Sequence, residues 1–357
     1  MGVSHHGQRA LNKFKFVHHA LLCGGKSGPP HDMAVIKTKI KEGSKIMLQY
    51  SFKRVLWVFP TLIGVLLLLF SLTYFLPGDP ATAILGPRAT PELIEELNAR
   101  LHLDRSMPVR LGYYLKGIAQ GDLGTSVWSG HSVSSLMMEA LGHTAMLAVT
   151  TLAVAAAIGI ILGAFGAIRQ DTPISGVVTV ASLMGVALPD FVAALLLMLV
   201  FCVKIPILPA IGAGEGFWDM IVHLILPATA LGIGWVGYLA RLTHESMVDV
   251  LEADYIRTAR AFAIPQKSIA YVYALKNAII PTITVLGLGV GKLLGGAVFV
   301  EIIFSRPGLG KLIVDAVYAR DFPVLQGGIL VATVLFVLAN LLADISYGFV
   351  NPQIQYD

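Results

Sequence analysis

The sequence predicts an all-α polytopic membrane protein with six transmembrane helices. Composition carries the first part of that prediction: 55% of the 357 residues are hydrophobic, only 13% are charged, and the mean hydropathy is +0.74. An ordinary water-soluble domain does not have that balance. Patterning carries the second part, because apolar stretches of bilayer length recur at residues 55–76, 144–168, 176–203, 221–242, 278–303 and 327–350. The first, 22 residues long, makes about 33 Å of helix against a hydrocarbon core of about 30 Å. A net charge of +4 and a pI near 9.0 do not point to nucleic acid. Lys and Arg gather beside the apolar stretches rather than along one face, which reads as membrane orientation.

Residues 1–46 form a basic, polar extension with His5, His6, His18, His19 and a Gly-Pro-rich patch from Gly24 to Pro30. Such a segment holds too few apolar residues to fold alone, and its His pairs lack Cys or carboxylate partners at metal-ligand spacing. It reads as a flexible tail, or as a start codon set too far upstream, with Met33 or Met47 as the true start. A cleaved signal peptide is disfavoured, since the apolar stretch 16–23 is short and broken by two histidines. Cys23 and Cys202 sit in unrelated contexts and read as inert.

Lys53 and Arg54 precede the first stretch. Residues 1–54 hold ten Lys/Arg against Asp32 and Glu42, which places the N-terminus in the cytoplasm. Six helices put the C-terminus there too. The loop 77–143 then lies outside, with shorter outer loops at 204–220 and 304–326, and the polar segment 243–277 lies inside. Within the large outer loop, Leu93, Ile94, Leu97 and Leu101 follow helical spacing. Thr90 stands as N-cap and Pro91 in the first turn, so a short helical subdomain is expected.

The inner segment is the strongest clue to function. Pro265 divides it into two helical pieces, and the first carries Val248, Leu251, Tyr255, Ile256, Ala259 and Phe262 at roughly helical spacing. Glu252, Asp254, Arg257, Thr258 and Arg260 occupy much of the remaining surface. Two readings fit: a helix lying in the lipid interface, or a helix docking in the groove of a cytoplasmic partner.

From about Met47 to Asp357 the chain resembles the permease subunits of the dipeptide, oligopeptide, nickel and glutathione importers of the ATP-binding cassette class, specifically the first of their two paired membrane subunits. The resemblance rests on an ordered set of motifs: Leu76-Pro-Gly-Asp-Pro80, Gly121-Asp-Leu-Gly-Thr-Ser126, Asp254-Tyr-Ile-Arg-Thr-Ala-Arg-Ala261, Leu294-Gly-Gly-Ala-Val-Phe-Val-Glu301, Pro307-Gly-Leu-Gly310, Arg320-Asp-Phe-Pro323 and Asn351-Pro-Gln-Ile-Gln-Tyr356. It implies a type I importer permease fold in a bacterial inner membrane. It also implies a paralogous second permease, two cytoplasmic ATPases that bind ATP and magnesium, and an extracytoplasmic binding protein that delivers the cargo. Peptides are the leading cargo; nickel chelate or haem is the alternative. By the same resemblance the inner segment is the coupling helix, with Glu252, Asp254, Tyr255, Arg257, Thr258, Ala259, Arg260 and Ala263 at the ATPase contact. Asp79, Asp122, Pro307, Gly308, Gly310 and Asp321 become candidates for the outer gate and the binding-protein contact. In one departure, Ala263 stands where the family carries Gly, after Phe262 in place of a basic residue. A tight turn with positive φ is harder for Ala, so Pro265 is the alternative helix stop.

No phosphate-binding loop is expected in this chain. Gly291-Lys292 is followed by Leu293 and has Leu286 where the first Gly should stand, and Gly310-Lys311 is followed by Leu312. The glycines at 232, 234, 237, 287, 289, 291, 295 and 296 read as helix-packing positions. Asp190, after Pro189 in the third stretch, and Lys292, near the middle of the fifth, are ionisable groups at membrane depth. They are candidates for a polar pathway or for a structural ion pair. Pro189, Pro227 and Pro281 read as kinks. Glu301, Asp344 and His223, near stretch ends, read as interfacial or interhelical. No nucleophile with a placed base, carboxylate pair or ligand cluster suggests an enzyme. The competing class is a self-contained secondary transporter, for which Asp190 and Lys292 would be a poor ion relay.

Overall fold

The computed structural model describes residues 56, 58–69, 71, 90–100 and 104–350. Helices dominate: α1 (Val58–Leu69), α2 (Pro91–Arg100), α3 (Met107–Ala119), α4 (Val133–Ile168), α5 (Pro173–Ala187), α6 (Asp190–Met198), α7 (Phe217–Leu251), α8 (Asp254–Ala261), α9 (Leu275–Ile303), α10 (Leu309–Ala319) and α11 (Phe322–Val350). One isolated antiparallel bridge joins Thr125 to Ser132. Among the described residues, four helices are long and apolar enough to cross a membrane, or five when the bent pair α5–α6 is taken as one span. Of the first apolar stretch, only part is described, as α1.

The third stretch differs from the single helix expected over 176–203. It breaks at Leu188-Pro189, and its two halves meet at 98°. The cause is local, because proline has no amide to donate and pushes the preceding residue out of the helical region; Leu188 is extended at φ −80°, ψ 117°. Asp190 therefore opens α6 rather than lying in mid-helix. Pro227 and Pro281, by contrast, stay inside α7 and α9. Beyond α6 the backbone relaxes into a π-helical turn at Leu199–Lys204, and a second such turn, Ile269–Ala274, leads into α9.

Glycines set the spacing of the bundle. An added Cβ at Gly159 would lie 2.8 Å from Leu239 Cβ, and one at Gly163 would strike the carbonyl of Ala240, so α4 lies directly on α7. Gly185 and Gly237 do the same between α5 and α7. Close backbone approach through small residues is the usual way helices associate where lipid removes the hydrophobic drive. Buried hydroxyls add a polar tie between α7 and α9, Thr243 Oγ1 to Thr282 Oγ1 at 3.0 Å.

Three apolar clusters are strung along α4. Val133, Met137 and Ala140 pack with Leu309, Ala316 and Val324 at one end. Leu147 and Ala148 join Leu231, Leu293 and Val300 in the middle. Ala164 and Ala167 meet Met247, Ile256, Ala259 and Ile269 at the other end. From Ala140 to Ala164 the helix rises about 36 Å, more than a hydrocarbon core of about 30 Å. The α8 and α10 assemblies thus sit at opposite ends of the bundle.

Candidate functional site

The α8 segment is a short helix laid on the end of the bundle. Glu252 and Ala253 interrupt the long α7, and the new helix begins at Asp254, whose carboxylate suits the positive end of the helix dipole. Ile256 and Ala259 are fully and nearly fully buried among α4, α7 and the turn before α9. The opposite face presents Asp254, Tyr255, Arg257, Thr258 and Arg260, all exposed, with Glu252 just ahead of it and Phe262 78% exposed at its end. Arg257 and Asp254 approach at 3.7 Å on this surface. The Tyr255 hydroxyl accepts a 3.0 Å hydrogen bond from Asn277 Nδ2, tying the helix to the base of α9. Ala259, expected at the same contact as these exposed residues, turns to the other side: its side chain, with Ile256, packs on the chain's own bundle. The anchors expected to enter a partner's groove also divide, since Val248 and Leu251 belong to α7 and pack on the same cluster.

The exit from α8 shows what stands in for glycine. Ala263 adopts φ +53°. Its amide donates to Arg260 O at 3.0 Å, and the next amide, Ile264, donates to Ala259 O at 3.2 Å. This is the Schellman pattern, with Ile264 packed on the cluster that holds Ala259. Alanine thus takes the left-handed conformation despite its Cβ, and Pro265 lies beyond the stop rather than causing it. Two further helix ends close the same way without glycine. Ser305 (φ +46°) and Arg320 (φ +56°) are followed by amides of Arg306 and Asp321 that donate to Glu301 O and Ala316 O.

At the opposite end the sequence motifs meet one another. Ser126 donates to Asp321 Oδ2 at 2.6 Å, joining the 121–126 motif to the 320–323 motif; Asp321 Oδ1 also accepts from Val324 N in the first turn of α11. Asp122 Oδ1 accepts from Gly124 N at 2.8 Å, in a turn where Gly121 and Gly124 have φ +77° and +90°. Glu301, the last residue of the 294–301 motif, is fully buried. Its carboxylate accepts from Thr144 Oγ1 at 2.6 Å and from the amides of Gly310 (2.8 Å) and Lys311 (3.2 Å), while Leu309 N donates to Thr144 Oγ1. A buried carboxyl group thereby caps the N-terminus of α10. Gly308 and Gly310 exist to admit it, since a Cβ at Gly308 would occupy the space of the Glu301 carboxyl and one at Gly310 would lie 2.9 Å from its Oε2. Gly308, Gly310 and Asp321 are buried within the chain here. Asp122 and Pro307 are exposed, and Asp79 lies outside the described residues.

Arg306, also fully buried, has no hydrogen-bond partner for its guanidinium among the described residues. Burial pushes its pKa below the ordinary arginine value, and the neighbouring Glu301 charge opposes that shift. The sequence marked Glu301 as interfacial or interhelical, and its bond to Thr144 of α4 makes it interhelical; no sequence signal singled out Thr144, Ser126 or Arg306 as its surroundings. An acid closing one Gly-rich motif nine residues before the last Gly of another was the available signal for Glu301 itself.

The two ionisable groups at membrane depth border the same stretch of α9 without touching. An added Cβ at Gly296 would lie 3.0 Å from Asp190 Oδ2, so the carboxylate rests against α9. Lys292, on the same helix and one turn earlier, is exposed, and its charge acts on Asp190.

Residues 155–356 match the family model described as the binding-protein-dependent transport system inner membrane component, and residues 47–148 match the model of its N-terminal part. The dipeptide transport system permease protein DppB of Alkalihalophilus pseudofirmus is 38% identical over 333 residues, covering 87% of this chain and all of that protein. The glutathione transport system permease protein GsiC is 39% identical over 310 residues in Pectobacterium atrosepticum and 38% identical over 310 residues in Salmonella typhi, with the same coverage.

Proposed function

The chain belongs to the family of binding-protein-dependent transport system inner membrane components, and from that premise we propose that it forms half of the translocation pathway of an ATP-driven importer of short peptides. The similarity to dipeptide and glutathione permeases over the whole length of those proteins supports the cargo class. A paralogous second permease completes the pathway, and an extracytoplasmic binding protein delivers cargo to the α10 end. Two separate ATPases bind ATP and magnesium in the cytoplasm, on the side where the charge bias of residues 1–54 puts both termini.

The observation that carries the coupling part of this reading is α8 itself: a helix fastened to the bundle through Ile256 and Ala259 while its polar face stands free. A helix lying in the lipid interface would turn Ile256 outward. An ATPase gripping Asp254, Tyr255, Arg257, Thr258 and Arg260 moves α8 together with the ends of α4, α7 and α9, which share its cluster. Nucleotide binding then shifts the population between inward- and outward-open states.

The test is reconstitution of the chain in vesicles with its second permease, ATPases and binding protein. Uptake that requires ATP and the binding protein, and falls at least about tenfold on Arg257→Glu with the complex still assembled, is the expected result. Uptake by the chain alone without ATP overturns the proposal.

A further inference from the structure

The broken span and the glycine pair Gly295-Gly296 build a feature that packing alone does not explain. Asp190 begins α6 immediately after the 98° break. Its carboxylate faces two glycines, Gly296 on α9 at 3.0 Å and Gly234 on α7 at 3.9 Å, measured to the position of an added Cβ. On α9, Lys292, Gly295, Gly296 and Phe299 share one face by helical spacing. Lys292 and Phe299 are exposed, and a Cβ at Gly295 would meet nothing within 4 Å. Phe191, next to Asp190, is half exposed and stacks at a tilt on Phe299 with ring centroids 6.1 Å apart. The result is an open surface with a carboxylate at one end, an ammonium group at the other and two phenyl rings at its side.

The two charged groups are not in direct contact. Neither joins an ion pair or hydrogen bond among the described residues, whereas Arg241 on the neighbouring α7 pairs with Glu245 at 2.8 Å. Opposite charges left apart at membrane depth call for a polar occupant between them, and backbone is broken at that depth only where it lines a cavity or is buried in protein.

We propose that Asp190 and Lys292 are the two poles of a binding site for a short zwitterion, Asp190 receiving its ammonium group and Lys292 its carboxylate. The inference rests on the importer reading and adds the recognition chemistry to it. Lys292 stands one helical turn, about 6 Å of rise, before Gly296, the residue against which Asp190 rests, so both charges border the same open face. Phe191 and Phe299 supply sequence-tolerant contact for the zwitterion's side chains.

The experiment uses the complete importer in vesicles and the ATP-driven uptake of radiolabelled L-alanyl-L-alanine. Asp190→Asn and Lys292→Met are each expected to lower uptake at least tenfold, and the double variant to be no better than the poorer single one. A double variant that regains uptake identifies a structural ion pair and overturns the proposal, as does normal uptake by either single variant. Should Lys292→Met fail to co-purify with its partners, Lys292→Gln must lose uptake and Lys292→Arg must keep it; the reverse overturns the site. A wild-type importer that moves another cargo with ATP but no free dipeptide removes the zwitterion site and leaves the importer standing. A wild type with no ATP-driven uptake of any solute removes the importer reading itself.

Discussion

Gly308 has no side chain because Glu301 occupies the place where one would go. That arrangement sets two expectations for thermal unfolding of the purified complex. Gly308→Ala displaces the carboxyl and lowers stability by about 1–3 kcal/mol, as overpacking does. Glu301→Ala leaves the Thr144 hydroxyl and two α10 amides without an acceptor, at about 1–3 kcal/mol for each group left buried and unsatisfied. Glu301→Gln, which keeps one acceptor oxygen, falls between it and wild type. Ala263 gives an expectation of opposite sign. Its left-handed backbone costs an L-residue about 1–2 kcal/mol, so Ala263→Gly should raise stability by about 1 kcal/mol after the extra chain entropy of glycine is offset. An unchanged or lower unfolding temperature for that variant contradicts the assignment of strain.

At the scale of elements, α8 is a helix whose position depends on two side chains. Ile256→Asp places a charge in the fully buried seat of the cluster. Amide exchange across Asp254–Ala261 should rise sharply, and uptake should be lost, while α10 stays protected. Loss of protection at both ends would mean global unfolding instead. Some of these elements were readable in the chain, and others were not. The spacing of residues 91–101 announced α2, and the Thr90 hydroxyl does accept from Leu93 N, at 3.4 Å. Hydropathy did not announce that α4 begins at Val133 or that α7 runs to Leu251, because an apolar window ends where polarity begins and helices do not. Nor could it show the turn at Leu188-Pro189, since both halves of that stretch are equally apolar; Pro189 marked a kink, and its size comes from what packs around it. The buried carboxylate at 301 was hidden for the same reason that makes it matter. Its partners are backbone amides and a threonine 157 residues away, and neither leaves a trace in local sequence.

For the whole molecule, the all-α membrane architecture was legible in composition, and the importer family in its ordered motifs. What holds the bundle together is written only in contact distances. Gly163→Leu and Gly237→Leu should each prevent assembly with the partner subunits, read as loss of co-purification, because each side chain would strike backbone of a neighbouring helix. Gly295→Leu, with open space before it in this chain, should still fold.

One further consequence lies in α4, whose 36 residues run without a break from the cluster at α10 to the cluster at α8. A continuous rod of about 54 Å that rocks by about 10° around its middle carries its two tips about 5 Å in opposite directions. Under the proposed function, the α10 end and the α8 end are then geared as the ends of a seesaw, so that one opens only as the other swings inward. Spin labels at exposed Met138 and Gln170, each measured against α9, should shift with opposite sign when nucleotide binds; movement of the same sign at both ends rules the seesaw out.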